Sequence, residues 1–339
     1  MRSRYPFSMA SNSGLPRLAS AALLSVVAAL SVGSSGCIKA MILNGQIEGT
    51  RKGADAMNTT ADFEVARSAA AAGIAQFEGM HLLAPDNEDA YYLLIKNYAS
   101  YAFAFAEDEY ELARLAGDDD LADYHKARAK SLYTRAVGYG FQWMEMEHAG
   151  SVDAQQSEAT MKAYLAKFDE KEDAEMLFWI GQAWISRTDL TKEPELIGTL
   201  WIGRTIMERV VELDEHVEHG DAHVILGAVA SSTGVATLGP ESFQRAKAHF
   251  DKAEAISGGK ALLGRLEYAV KYACHMADDS PGRKQSLALY MKNLNEVLDA
   301  DDPDPQVRLP NAVAKRRARR YLSDKWMRNV AAQDCGWDL

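Results

Sequence analysis

The sequence predicts an all-α protein built as an array of helical hairpins. Three observations carry that expectation. Alanine is abundant, and only nine prolines interrupt 339 residues, most of them in connectors between long periodic segments. The alternation of Val, Ile and Thr that marks strands is nearly absent. The long segments also come in pairs, the layout of a degenerate tetratricopeptide-like α-solenoid whose units exceed the standard repeat length.

The elements follow in order. A helix is expected over about 61–83, ending before "LLAPDNEDAYYLL". Pro85 cannot continue it, and Asp86 or Asn87 can cap the next helix, over about 88–116. "GDDDLADYHKARAKSLYTRAVGYGFQWMEME" then places Asp118, Asp119 and Asp120 at the positive end of a third. Three pairs follow: "DAEMLFWIGQAWISRTD" with "ELIGTLWIGRTIMERVVELD", "GDAHVILGAVASSTG" with "GPESFQRAKAHFDKAEAIS", and "ALLGRLEYAVKYACHMADD" with "GRKQSLALYMKNLNEVLDADDPDP". "NAVAKRRARRYLSDKWMRNV" closes the array. Within the pairs, small Gly181 and Gly227 sit where two helices must touch, and Ala246 and Phe250 lie four apart on the answering helix. Neither helix of such a pair can bury its apolar stripe alone, so pairs stack.

The N-terminus has a different composition. Residues 1–36 contain Arg2, Arg4 and Arg17, no acidic residue, and an apolar run from Ala19 to Val32. Basic, then apolar, then small is the order of a secretory signal peptide, and the run is too short to span a bilayer. Ser34, Ser35 and Gly36 lead into Cys37, which resembles a bacterial lipobox with Ser34 in place of the usual Leu. The expected organisation is a lipoprotein signal peptide over 1–36, a tether over 37–60 lipidated at Cys37, a helical domain over 61–330 and a tail over 331–339. Ile38 rather than Asp after the cysteine favours the outer membrane by the common sorting rule.

Charge narrows the partners. The net charge of −11 disfavours nucleic acid and anionic lipid surfaces, which are held by Lys and Arg. Membrane contact is then expected through the lipid anchor alone. Lipidation of Cys37 leaves Cys274 and Cys335, and the sequence leaves open whether these two pair.

Several segments taken together resemble one family: the lipobox-like cysteine with its "IKAMILNG" tether, "LLAPDNEDAYYLLIKNYASYAFAFAED", "HKARAKSLYTRAVGYGF" and the closing "NAVAKRRARRYLSDKW". Their order is similar to the T component of TRAP-type transport systems, the tetratricopeptide lipoproteins often called TatT. The resemblance covers about residues 37–330. It implies a periplasmic helical lipoprotein that self-associates, as a trimer, beside a substrate-binding P component. It also implies a hydrophobic channel for a small apolar or organic-acid ligand, and no cofactor.

Aromatics are the channel candidates. Tyr98, Tyr101 and Phe105 lie on the second helix, and Trp179, Trp184 and Trp201 on the pair that follows the third. Apolar stripes at this spacing usually pack a core; the resemblance adds the reading of a greasy channel with polar anchors. His216, His219 and His223 have spacings that can hold zinc, but Gly220 and Asp221 read as a helix stop and the next cap, which separates His223 from the others. "DADDPDP" lacks the glycine and distal Glu of a calcium loop. Lys315, Arg316, Arg317, Arg319 and Arg320 point to docking on a membrane surface, on an acidic partner, or on the acidic body of the chain itself. No phosphate loop, nucleophile elbow or zinc-protease signature marks an enzyme. The competing non-transport expectation is a tetratricopeptide scaffold lipoprotein that only gathers other envelope proteins.

Overall fold

The computed structural model describes residues 39–238, 241–276, 280–302 and 304–339. Cys37 and the signal-peptide segment lie outside the described residues. The chain divides into two units, one ending at Ile47 and the other spanning Glu48–Leu339. Residues 39–47 of the first are helical. All that follows concerns the second.

This unit is an all-α array, with no strand among the described residues. Its helices start and stop where side chains dictate. Helix α1 (Phe63–Leu83) opens on Asp62, whose carboxylate accepts from the Glu64 and Val65 amides. Asn87 caps α2 (Glu88–Tyr101) by accepting from the Ala90 amide at 2.9 Å. The expected 88–116 helix is continuous in direction but passes through a π turn, Ala102–Ala106, before α3 (Glu107–Ala116). Gly117 ends α3 in the left-handed conformation, φ 80°, and Asp118 caps α4 (Asp119–Glu147).

After the short α5 (Glu158–Leu165), α6 (Asp173–Thr191) pairs with α7 (Leu200–Asp214), and α8 (Asp221–Leu238) with α9 (Ser242–Ser257). Next, α10 (Leu262–Glu267) runs into a π turn, Tyr268–Ala273, which packs on α11 (Ser280–Asp299). Helix α12 (Arg308–Tyr321) lies against α10 and α11. These are the hairpins expected from the sequence. A Cβ on Gly227 would come within 2.9 Å of the Phe250 ring and 3.2 Å of the Ala246 carbonyl, so only glycine lets α8 and α9 approach this closely.

Three segments differ from the sequence expectation. The closing helix breaks after Tyr321, because Ser323 turns out of the helix and caps a new start at Asp324. Residues 331–339, set apart as a tail, are bound to the body. Cys335 forms a disulfide with Cys274, and the Trp337 ring packs edge-on to Tyr290 at 5.0 Å. Residues 48–60, set within a tether, also dock. Arg51 lies 3.4 Å above the Tyr92 ring and pairs with Glu175, and Met57 packs against the Phe105 cluster.

The largest apolar cluster joins α2, α4, α6, α7 and α8 around Trp143, Tyr133, Leu94 and Leu177, all essentially inaccessible. A second joins α10, α11 and α12 around Leu266, Tyr290 and Leu294. Between the helix layers the array stays open, and that opening is the candidate site.

Candidate ligand cavity

A cavity of about 1240 Å³ lies within the array. Each surrounding helix contributes one stripe at helical spacing. From α6 come Trp179, Gln182, Ser186 and Asp189. From α8 come Asp221, Val224, Ile225 and Ala228. The α10 stripe is Leu263 and Glu267, continued by Val270, Lys271 and Cys274. Lys96, Asn97, Ser100 and Glu107 come from α2 and α3, with Phe103 and Phe105 in the π turn between them. Val313, Arg317 and Tyr321 from α12 complete the wall. A π turn widens a helix by one residue and often marks a functional site; three π turns among the described residues, Ala102–Ala106, Tyr268–Ala273 and Met327–Ala331, contribute lining residues.

The wall is apolar over most of its area but carries a band of charge. The Lys271 ammonium donates to Asp189 at 2.6 Å. Asp189 keeps 40% of its side chain accessible although it lies deep in the fold, because the surface it exposes is the cavity wall. Burial opposes both charges of this pair, and their mutual attraction outweighs it: Asp189 is held below the usual carboxylate range and Lys271 above the usual amine range. Lys96 donates to Glu218 at 3.1 Å and to Asp55 at 3.0 Å, and its ammonium stands 5.2 Å from the Trp179 ring centroid. Arg317 donates to the Phe103 carbonyl at 2.6 Å and to Glu107 at 3.3 Å. The Tyr133 hydroxyl donates to Glu107 at 2.5 Å. Burial still wins at Glu107 over Arg317 and Tyr133, and pushes its carboxyl up to about 7.

Asp221 and Glu267 stand apart from these pairs. Neither side chain makes a hydrogen bond or ion pair among the described residues. Burial, then repulsion from Glu218 and Glu267, pushes Asp221 up to about 8. Burial raises Glu267 as well, against the pull of Lys271 and Arg317. The chain reaches Asp221 through a strained turn: Glu218 and His219 are non-glycine residues with φ of 45° and 61°, followed by Gly220 at 89°. Left-handed backbone at such residues costs about 1–2 kcal/mol each. The turn carries Glu218 to Lys96 and starts α8 with Asp221 on the wall. Among the described residues, three further groups on the wall lack a hydrogen-bond partner: the Gln182 amide oxygen, the Trp179 indole N–H and the Arg317 Nε, which stands 3.7 Å from Glu111.

Of the aromatics singled out in the sequence, Phe105 and Trp179 line this cavity. Trp184 and Trp201 belong to the neighbouring core, where the Trp184 indole donates to the Thr199 carbonyl at 3.1 Å. Tyr98 donates to Glu78 at 2.6 Å, and Tyr101 accepts from Arg128 at 2.8 Å. His216 and His223 do not converge. The His216 amide bonds Asp214, whereas the His223 ring meets His249, Nδ1 to Nδ1, at 2.9 Å. No group of three or more metal-ligating side chains is gathered among the described residues. Sequence reasoning misses Lys96, Gln182, Glu267 and Lys271 and reads Asp221 only as a helix cap. Each is a polar residue on a predominantly apolar helix stripe, a pattern that reads as a cavity wall only once the stripes are assembled.

The arginine-rich helix docks on the chain's own acidic helix α3. Arg316 pairs with Asp108, Arg320 with Asp108 and Glu111, and Arg317 with Glu107.

Residues 59–327 match the family model of the TRAP transporter T-component. The chain belongs to this family. It is thereby an accessory component of TRAP-type transport. No curated protein matches it. Among the described residues, no helix is long and apolar enough to cross a membrane.

Proposed function

We propose that this T component takes a small, largely apolar ligand into its internal cavity and exchanges it with a periplasmic substrate-binding P component. The observation that carries the reading is the cavity itself. Its volume of about 1240 Å³ exceeds a usual small-molecule pocket, and its wall is apolar with a few polar groups, the pattern of a ligand site. A scaffold that only gathers proteins has no use for such a hollow, which sacrifices packing contacts on every lining helix. The rest of the proposal follows the family: lipidation at Cys37, a periplasmic location on the outer membrane, and assembly as a trimer. Closed rings are the usual solution for identical subunits.

Trp179 and Trp184 test the ligand role. The Trp179 indole faces the cavity, and Trp184 is 6% exposed within the core. Trp184→Ala should cost about 3–5 kcal/mol of stability. Trp179→Ala should melt close to the wild type and weaken binding of the neutral fluorescent probe N-phenyl-1-naphthylamine several-fold. Absence of probe binding to the wild type, or equal binding by Trp179→Ala, would defeat the reading.

A further inference from the structure

Acidic and basic groups on the cavity wall are not matched one to one. Among the described residues, four lining cations are already engaged by carboxylates: Lys96 by Glu218, Arg114 by Asp334, Lys271 by Asp189 and Arg317 by Glu107. The remaining one, Lys192, is exposed at the end of α6. His275 is kept neutral by burial and by the nearby Lys271 and Lys192. The acids are in surplus, because Asp221 and Glu267 face the same space without a cation in contact. An independent feature points the same way. Gln182 is 7% exposed, lines the cavity, and holds its amide oxygen without a donor while its Nε2 donates to Ser186. A buried acceptor without a donor costs free energy that a ligand donor would recover. The Trp179 N–H is an unpartnered donor, but it is neutral and adds no charge to hold a carboxylate; the Arg317 Nε also lacks a hydrogen bond, but its charge is already matched by Glu107 and Glu111.

We propose that the cavity selects amphiphiles with a protonated amine head, held by the carboxyl groups of Asp221 and Glu267, and discriminates against carboxylate heads. This rests on the ligand role proposed above and narrows its ligand class. An ammonium gains three donors facing acceptors without partners. A carboxylate entering the same place would be desolvated beside two acids with no free buried cation, a costly arrangement. An apolar tail of either ligand packs equally well on the remaining wall, so the head decides. Arrival of the ammonium favours the ionised carboxyl, and a proton leaves to solvent.

The experiment compares tail-matched competitors against bound N-phenyl-1-naphthylamine at pH 7. Octylamine should displace the probe at a concentration at least about tenfold below octanoate, with octanol between them; tenfold corresponds to about 1.4 kcal/mol. In Asp221→Asn combined with Glu267→Gln, the octylamine advantage should vanish while octanol is unchanged, which also reports that the cavity remains formed. Calorimetry in two buffers of different ionisation heat should show proton release on octylamine binding to the wild type and none in the double variant. Octanoate binding as tightly as octylamine, or a preference that survives the double substitution, overturns the inference while leaving the ligand role intact. A wild type that binds no probe overturns both.

Discussion

Two regions of this molecule are held by opposite means. The body around α2, α4, α6 and α7 is fastened by apolar and aromatic burial: Trp143 and Tyr133 are both 0% exposed. The C-terminal clasp, where α12 crosses α3, is fastened by charge. Arg317 and Arg320 are each 4% accessible at the side chain, against Asp108 at 3% and Glu111 at 11%. Tyr321 adds a hydrogen bond to Glu111 at 2.7 Å. Apolar burial is non-directional and tolerates repacking. A buried ion network gains little net stability, because desolvation offsets attraction, but it admits few alternative registers. The clasp therefore fixes where the last helix lies, and the body supplies the stability that allows it.

Removing one partner should expose this difference most sharply. Arg320→Ala leaves Asp108 and Glu111 buried beside one cation fewer, and should cost about 3–5 kcal/mol in urea unfolding. Trp143→Ala in the body should cost a similar 3–5 kcal/mol by leaving a cavity. A double-mutant cycle separates the regions: Arg320→Met with Asp108→Leu should cost clearly less than the two single changes added together, since that pair goes as a unit while Glu111 keeps Arg317 and Tyr321. A cost below about 1 kcal/mol for Arg320→Ala, typical of an exposed pair, would break the comparison.

The disulfide comes next in size. Cys274 and Cys335 are 61 residues apart in sequence. Cross-linking a loop of that length restricts the unfolded chain by about 4 kcal/mol in the entropic account, and measured values centre on about 2–4 kcal/mol. Paired Cys274→Ser and Cys335→Ser should lose stability in that range. Hydrogen exchange should quicken in α11 and the last turns and stay unchanged in α6 and α7. Equal acceleration in both would show that body and clasp open as one unit.

The same contrast explains what the sequence could reveal. Hairpin pairing was legible because periodicity and small residues such as Gly227 encode local contact, and local contact is what stacks an array. The arginine cluster announced a buried or docked cation but not its partner, since Asp108 and Arg316 are 208 residues apart. The two cysteines likewise could not declare their bond. The cavity was hardest. A stripe facing a neighbouring helix and a stripe facing a hollow have the same period, so Trp179 on the wall and Trp184 in the core looked alike. What distinguishes a wall is a polar residue within the stripe, as at Gln182 or Glu267, and that mark is visible only once the stripes are assembled.

The smallest effect concerns the wall, and its sign follows from linkage. Asp221 moves from an unfolded value of 3.8 to about 8 in the fold. Its position in the first turn of α8 favours the anion, but burial prevails. The native state therefore binds this proton more tightly than the unfolded chain does. Stability from the group is complete below about pH 4 and is lost as pH climbs toward 8. Asp221→Asn, which cannot ionise, should match the wild type at pH 4 and exceed it by about 1 kcal/mol or more at pH 8. Half-buried His249, lowered to about 4 by desolvation and by His223, acts oppositely and costs stability as pH falls from 6.5. It is common to both proteins, so the difference between their melting curves isolates Asp221. A gap that opens with pH shows a carboxyl held in a dry wall without a cation, unlike the clasp, where each acid already has one. A gap that stays flat would mean that water in the cavity solvates Asp221 as well as bulk solvent does; its carboxylate would then be ionised at neutral pH but screened by that water, and the wall would not be the dry surface on which a head group is chosen.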